Sequence, residues 1–186
     1  MDWIIPGTTL TEKREEAKHV EDQFHAMFLG GGIALGQVAN ITGLEPYTIQ
    51  NWVKRGFLTK PEQKKYSLRQ LCRILNINML KSVLLMEDIC ELLGYINGDL
   101  SDEGDDLIDD SRLYFMFVRL AAQARYIGGT KTWDEALESV AAEYDEPVPG
   151  AREKLVKVLR IMLTAWVAAQ LKFQTEKMMA ELMDKT

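Results

Sequence analysis

Two short segments on either side of Gly43 carry apolar residues at helical spacing. The apolar positions are Leu35, Val38, Ile41, Ile49, Trp52 and Val53. Gly43 gives the backbone freedom that a tight turn needs, and Pro46 can start a helix without losing a needed N–H. The pattern therefore predicts two amphipathic helices joined by a tight turn.

The second of these helices leaves a polar and cationic face outside its apolar one. The residues of that face are Tyr47, Thr48, Gln50, Asn51, Lys54 and Arg55. Such side chains suit hydrogen bonding to base edges and charge pairing with phosphates. We therefore expect a helix-turn-helix whose second helix contacts duplex DNA.

A short basic segment, TKPEQKKYS, follows the helix pair. It predicts a small β-hairpin wing, in which Lys60, Lys64, Lys65 and Tyr66 are the expected DNA contacts. Ser67 is expected to cap the next helix. The fold class predicted from the chain is mainly α, with this winged helix-turn-helix and a C-terminal helical bundle.

Roughly residues 30 to 110 resemble the DNA-binding half of MerR-type regulators. The matching segments are Thr42-Gly43 for the T-G turn, Thr48 to Trp52 for T-[LI]-R-Y-Y, Gly56 to Leu58 for G-L-L, and Lys64 to Tyr66 for the Y-R-Y of the wing. The TIQNWVKRG and KKYS segments are also similar to a bacterial family of unknown function, the domain of unknown function 1836 family. The resemblance implies a MerR-like winged fold, duplex DNA as the partner and a homodimer formed through a C-terminal helix.

Gln50 and Asn51 replace the Arg and first Tyr that the MerR pattern places against the DNA backbone. Gln and Asn can pair bidentately with adenine, and each such pair discriminates by roughly 1–3 kcal/mol. The alternative is that both are solvated polar residues with no contact to DNA.

The helix-capping and turn residues along the chain predict three regions. Residues 1–30 are expected to form a helix that begins after Thr9 and ends near Phe28, residues 31–100 the winged domain, and residues 101–186 a helical domain. The acidic connection DLSDEGDDLIDD between the last two is interpreted as a solvated linker or the start of a helix, because its spacing fits no calcium loop. Three further helices are expected, over about 111–126, 132–144 and 151–184.

The last of these helices carries two apolar rows. One row contains Leu155, Leu159, Met162, Trp166, Ala169 and Phe173, and the other contains Val158, Ile161, Ala165 and Ala168. The sequence predicts a dimer interface through Leu159, Met162, Trp166 and Phe173. A monomeric bundle that buries both rows internally is the alternative.

Charge is distributed unevenly along the 186 residues, whose formal net charge is -6. Residues 34–82 hold eight cations and two acids, and the remainder is strongly acidic. A basic module joined to an acidic one is typical of a DNA-binding module with a partner domain. No long apolar run could span a bilayer, so we expect a cytoplasmic protein without a membrane partner.

Neither catalytic nor metal-binding motifs occur, so no enzyme activity, cofactor or metal is predicted. Cys72 and Cys90 each lie in an apolar helical pattern and are interpreted as core thiols. Two other functions compete with DNA binding. One is a protein-binding adaptor that uses the winged surface. The other is a sensor that encloses an apolar ligand among Phe115, Phe117, Tyr126, Trp133, Trp166, Phe173, Met178 and Met179.

Overall fold

The computed structural model describes residues 2–100, 102–125 and 129–183. Within these residues the chain is mainly helical, with two small antiparallel sheets. In chain order the elements are β1 (Asp2–Ile4), β2 (Thr11–Lys13), a 3-10 helix (Arg14–His19), α1 (Val20–Met27), β3 (Ile33–Ala34), α2 (Leu35–Thr42), α3 (Pro46–Lys54), β4 (Lys65–Tyr66), α4 (Leu68–Leu80), α5 (Met86–Asn97), a 3-10 turn (Glu103–Asp105), α6 (Asp110–Gln123), α7 (Trp133–Ala141) and α8 (Ala151–Met183). The predicted helix ends at Tyr126 and Asp184 lie outside the described residues.

The N-terminal segment differs from the predicted single helix. Strands β1 and β2 form a hairpin, and the α-helix begins only at Val20. The hydroxyl of Thr9 does not cap a helix, because it donates a hydrogen bond of 2.8 Å to the carbonyl of Asn40 in α2. The predicted helix between Thr9 and Phe28 was therefore wrong over Thr11–Lys13, which form a strand, and it is a 3-10 helix before the α-helix begins at Val20.

The predicted helix cap at Ser67 is confirmed, and Thr132 caps α7 in the same way. The Ser67 hydroxyl accepts a hydrogen bond from the backbone N–H of Gln70 and begins α4. Thr132 accepts from the backbone N–H of Glu135, while the Glu135 carboxylate accepts from the Thr132 backbone N–H at 2.8 Å. Each reciprocal pair satisfies N–H groups that the first turn leaves without helical partners.

Helix α4 lies at the centre of the core and packs against α2, α6 and α8. Its residues from Leu71 to Ile77 are all buried. The core is continuous across the boundaries predicted near residues 30 and 100. For example, the Tyr114 hydroxyl of α6 donates a hydrogen bond of 2.9 Å to the carbonyl of Pro6. The three predicted regions therefore share one hydrophobic core.

The first half of α8 corrects the predicted dimer interface. Leu159 and Met162 are fully buried in the protomer's own core, and Trp166 is only 4% exposed. The Trp166 ring lies nearly perpendicular to the rings of Trp3 and Phe117, at centroid distances of 6.2 and 6.0 Å. These three side chains are therefore unavailable to a partner chain.

The second half of α8 extends beyond the core. Every residue from Leu171 to Met183 is exposed, including the predicted interface residue Phe173 at 62%.

The residues of the predicted apolar ligand site do not lie together, because some are buried in the core and others are exposed. Phe115 and Phe117 pack in the core with Trp166, Trp133 is half-buried, and Phe173, Met178 and Met179 are exposed. Tyr126, the remaining residue of that set, lies outside the described residues.

Candidate nucleic-acid interface

The turn between α2 and α3 has the backbone that its sequence predicts. Gly43 lies in the left-handed region at φ +69°, and its N–H donates to the Ala39 carbonyl at 2.8 Å. The Thr42 hydroxyl donates to the Val38 carbonyl, also at 2.8 Å. Pro46 then occupies the first turn of α3. Two helices are thus joined with the carbonyl groups of the first satisfied locally.

Residues distant in the sequence hold this turn in place. The Asn78 amide of α4 donates to the carbonyls of Thr42 and Gly7, at 2.9 and 2.8 Å. The Thr9 backbone N–H donates to the Ile41 carbonyl at 2.8 Å. These contacts could not be predicted, because no local pattern links Thr9 and Asn78 to the end of α2. They fix α3 relative to the core.

Helix α3 has the two faces that the sequence predicts. Ile49 is fully buried and Trp52 is 5% exposed, so together they anchor the helix to the core. The other face contains Tyr47, Gln50, Asn51 and Lys54, all exposed. These four residues have i, i+3, i+4 and i+7 spacing and therefore share one side of the helix. Thr48 is half-buried and Arg55 is exposed beside them.

The predicted wing is a tight turn attached to a two-stranded sheet. The Lys65 N–H donates to the Glu62 carbonyl at 2.7 Å, and Gln63 and Lys64 between them have φ values of 46° and 64°. Positive φ at both central positions is typical of a type I′ turn. Strand β4, which follows, pairs with β3 ahead of α2, in the register Ile33↔Tyr66.

The predicted DNA contacts of this turn and its strand differ in their exposure to solvent. Lys60, Lys64 and Lys65 are exposed, as a DNA contact requires. Tyr66 is only 3% exposed, and burial raises the pKa of its hydroxyl. Tyr66 is therefore not available for the predicted contact with DNA, because its side chain is buried.

Acidic residues from the connection after α5 neutralise part of the predicted basic patch. Arg69 forms an ion pair of 2.6 Å with Asp106, and Arg73 one of 3.3 Å with Asp110. Arg55 lies 3.5 Å from Glu87 at the surface. Three of the eight predicted cations thus have acidic partners. Within the described residues no carboxylate forms an ion pair with the other five cations, which are Lys54, Lys60, Lys64, Lys65 and Lys81.

A cleft of about 750 Å³ lies between this turn and the start of α4. Its lining residues are Gly31, Gly32, Leu58, Thr59, Lys60, Glu62, Gln63, Lys65, Ser67, Arg69, Gln70, Arg73, Leu100 and Asp110. The Gln70 amide donates to the carbonyl and hydroxyl of Thr59 at 3.1 and 3.0 Å, which fixes the segment after α3 to α4. A polar cleft with several cationic side chains can accept an anionic group such as a phosphate.

Metal binding and thiol chemistry have little structural support among the described residues. They contain no group of three or more His, Cys, Asp and Glu side chains placed to hold a metal ion. Cys72 is buried, Cys90 is half-buried, and both are free thiols whose pKa is raised by burial. No helix in the described part of the chain is long and apolar enough to cross a membrane.

Comparison with known proteins identifies similarity in the region that contains this interface. Residues 32–117 match the model of a family described as Domain of unknown function (DUF1836). The Uncharacterized protein YkrK of Bacillus subtilis (strain 168) is 36% identical over 86 residues, which are 44% of this chain and 37% of that protein. The chain thus covers little more than a third of that relative's length. No solved structure matches this chain.

Proposed function

We propose that this protein is a bacterial transcriptional regulator that binds duplex DNA through a MerR-like helix-turn-helix and wing. The observation that carries the proposal is the exposed face of α3, where Tyr47, Gln50, Asn51 and Lys54 point away from a core anchored by Ile49. A short helix with one buried face and one hydrogen-bonding face can enter the major groove of B-DNA.

The turn after α3 gives independent support. A left-handed backbone costs roughly 1–2 kcal/mol at each residue that is not glycine. Glycine or asparagine would suit these positions better, yet Gln63 and Lys64 occupy them. Strain at a side chain that makes no core contact supports a functional role for that side chain. A lysine at the tip of the turn would contact a phosphate.

We also propose that the protein acts as a homodimer through an exposed stripe on α8. The stripe consists of Ile161, Thr164, Ala168, Leu171, Thr175, Met178 and Leu182, and all seven residues are exposed. Their spacing alternates between three and four residues, which is the pattern of a coiled-coil seam. This stripe lies on another side of the helix from Trp166 and Phe173.

An antiparallel pairing of two stripes fits this sequence of side chains. With Leu171 opposite Thr175 of the second copy, Ala168 faces Met178 and Thr164 faces Leu182. Each layer then pairs a large residue with a small one, which favours close packing. The exposed end of α8 would be covered, and a two-fold axis would present two copies of α3 to an inverted repeat.

The proposed function is tested by selecting bound duplexes from random-sequence DNA with the purified protein. We expect enrichment of an inverted repeat. A double variant, Lys64→Ala with Lys65→Ala, provides a second test. It should weaken binding to all sequences alike and lower the slope of log affinity against log salt by about one to two units. Absence of both enrichment and retardation of DNA would contradict the proposal, and an unchanged slope would exclude the turn from the contact.

A further inference from the structure

Arg69 lies at the cleft between the turn and α4, where sequence analysis predicted no DNA contact. One of its terminal nitrogens donates to Asp106 Oδ2 at 2.6 Å. The Asp106 side chain is 8% exposed, and its other oxygen is buried without a hydrogen-bond partner in the described part of the chain. A carboxylate that is buried but half-satisfied is held less firmly than a fully bonded one.

The neighbouring ion pair between Arg73 and Asp110 shows the difference. Arg73 reaches both oxygens of Asp110 at 3.4 and 3.3 Å and also donates to the Phe57 carbonyl at 3.0 Å. The Asn76 amide donates to the backbone carbonyl of Asp110. The Asp110 side chain is only 1% exposed. Arg73 and Asp110 therefore form a structural pair that fixes the acidic connection to α4.

Burial raises the pKa of both carboxyls, so the two ion pairs differ in their hydrogen bonds: one oxygen of Asp106 has no partner among the described residues, whereas Arg73 reaches both oxygens of Asp110. Asp106 would therefore gain by leaving its site. Burial raises the pKa of Asp106 to about 6, although the charge of Arg69 acts in the opposite direction. The charged carboxylate is thus poorly solvated where it lies. A phosphate at the same guanidinium could accept two parallel hydrogen bonds and would return Asp106 to water.

We propose that Arg69 is a further phosphate-binding residue of the interface, and that Asp106 occupies it in the free protein in place of a DNA phosphate. This inference rests on the proposed DNA binding and adds a regulatory contact to it. Asp106 lowers the affinity for every sequence by the same factor, because phosphates carry no sequence information. Release of Asp106 leaves the acidic connection attached through Arg73 and Asp110.

The test measures the affinity of the full chain for a random-sequence duplex of roughly 20 base pairs, between about 50 and 200 mM salt. The variant is Asp106→Asn, which keeps the shape of the side chain and one acceptor for Arg69. We expect about fivefold to tenfold tighter binding at low salt and a salt slope steeper by about one unit, since one more phosphate is neutralised.

Asp105→Asn is the matched control. Asp105 is the adjacent residue, is exposed, and accepts a hydrogen bond from the Asp99 N–H that asparagine can retain. It removes the same charge without touching Arg69, so we expect less than about a twofold change. Equal effects of the two variants would overturn the inference and leave DNA binding intact. Failure of the wild type and of Asp106→Asn to bind any duplex would overturn both proposals.

A double variant separates release of Arg69 from a general change of charge. Arg69→Gln should change wild-type affinity little and should abolish the gain in the Asp106→Asn background. A gain that persists without Arg69 would contradict the inference. The inference would also be contradicted if inorganic phosphate, added at matched ionic strength, removed the gain in DNA affinity of Asp106→Asn. That result would assign the subsite to a small anion.

A measurement on the unmodified chain covers the case in which Asp106→Asn does not fold. The carboxyl carbon of Asp106 can be titrated by NMR with and without the duplex. We expect its pKa to fall toward the ordinary value for aspartate when DNA is bound, because the carboxylate moves into water. An unchanged pKa in the saturated complex would show that Asp106 stays in place.

Discussion

Helices α3 and α8 both present an exposed face, but only the face of α3 was predicted correctly. In α3 a single apolar row with Ile49 and Trp52 enters the core, so the opposite side is exposed by necessity. In α8 two apolar rows run side by side. Periodicity identifies both rows but not how much of each the protomer covers: Val158 and Ala165 of the second row are buried, whereas Ile161 and Ala168 are exposed. A one-row helix thus defines its surface, whereas a two-row helix needs its tertiary contacts.

The largest test of this difference compares two aromatic residues of α8. Trp166 is buried against Trp3 and Phe117, so Trp166→Ser should lower the free energy of unfolding by roughly 3–5 kcal/mol. Phe173→Ser, seven residues further on, should cost less than about 1 kcal/mol, because that ring is largely exposed. Urea unfolding of both variants gives the measurement. Equal losses would mean that Phe173 is covered in solution.

Local signals in the sequence were sufficient for part of the fold. The Gly43 turn, Pro46 at the start of α3 and the cap at Ser67 depend on neighbouring residues, and all three were predicted. The N-terminal hairpin was missed, although Pro6-Gly7 is a dipeptide typical of a turn. The capping pattern at Thr9 suggested a helix instead, and its hydroxyl is used by α2.

The parts of the candidate interface that depend on distant residues could not be predicted. Arg69 and Asp106 are 37 positions apart, and no spacing rule connects them. The ion pairs correct the interpretation of the acidic connection as a solvated linker only in part: Asp106 and Asp110 are buried against α4, whereas Asp102 and Asp105 are exposed. The alternative of a helix start is confirmed, since Asp109 caps α6. Tyr66 was misassigned for a similar reason, because β3, the strand that pairs with its own, lies before α2 in the sequence.

The exposed stripe of α8 provides the second test. Leu171→Glu with Met178→Glu should give a folded monomer, since both side chains are exposed in the protomer. Binding to an inverted repeat should then weaken by roughly 100-fold or more, because the second copy of α3 is no longer tethered. Light scattering and DNA retardation measure the two effects.

Phe173→Glu serves as the control for the stripe, because this residue lies on another side of the same exposed helix. It should leave the dimer intact. If Phe173→Glu dissociates the dimer and the stripe variant does not, the interface runs along the side of α8 that contains Phe173 and the stripe is not the interface. A wild type that is monomeric at micromolar concentration, both free and on DNA, would exclude either interface.

The smallest expected effect concerns single residues on the face of α3. Gln50→Ala should relax the base preference at one position of each half-site by roughly 1–3 kcal/mol and leave non-specific affinity nearly unchanged. Lys54→Ala, one turn further along the same exposed face, is the control. It should weaken binding to all sequences equally, because a lysine there pairs with phosphate. Both variants should unfold like the wild type, since neither side chain is in the core.

Repeating the selection from random DNA with each variant distinguishes base contact from backbone contact. A uniform loss for Gln50→Ala would assign Gln50 to the backbone, and no effect from either variant would mean that α3 does not face DNA and would favour a protein partner for this surface.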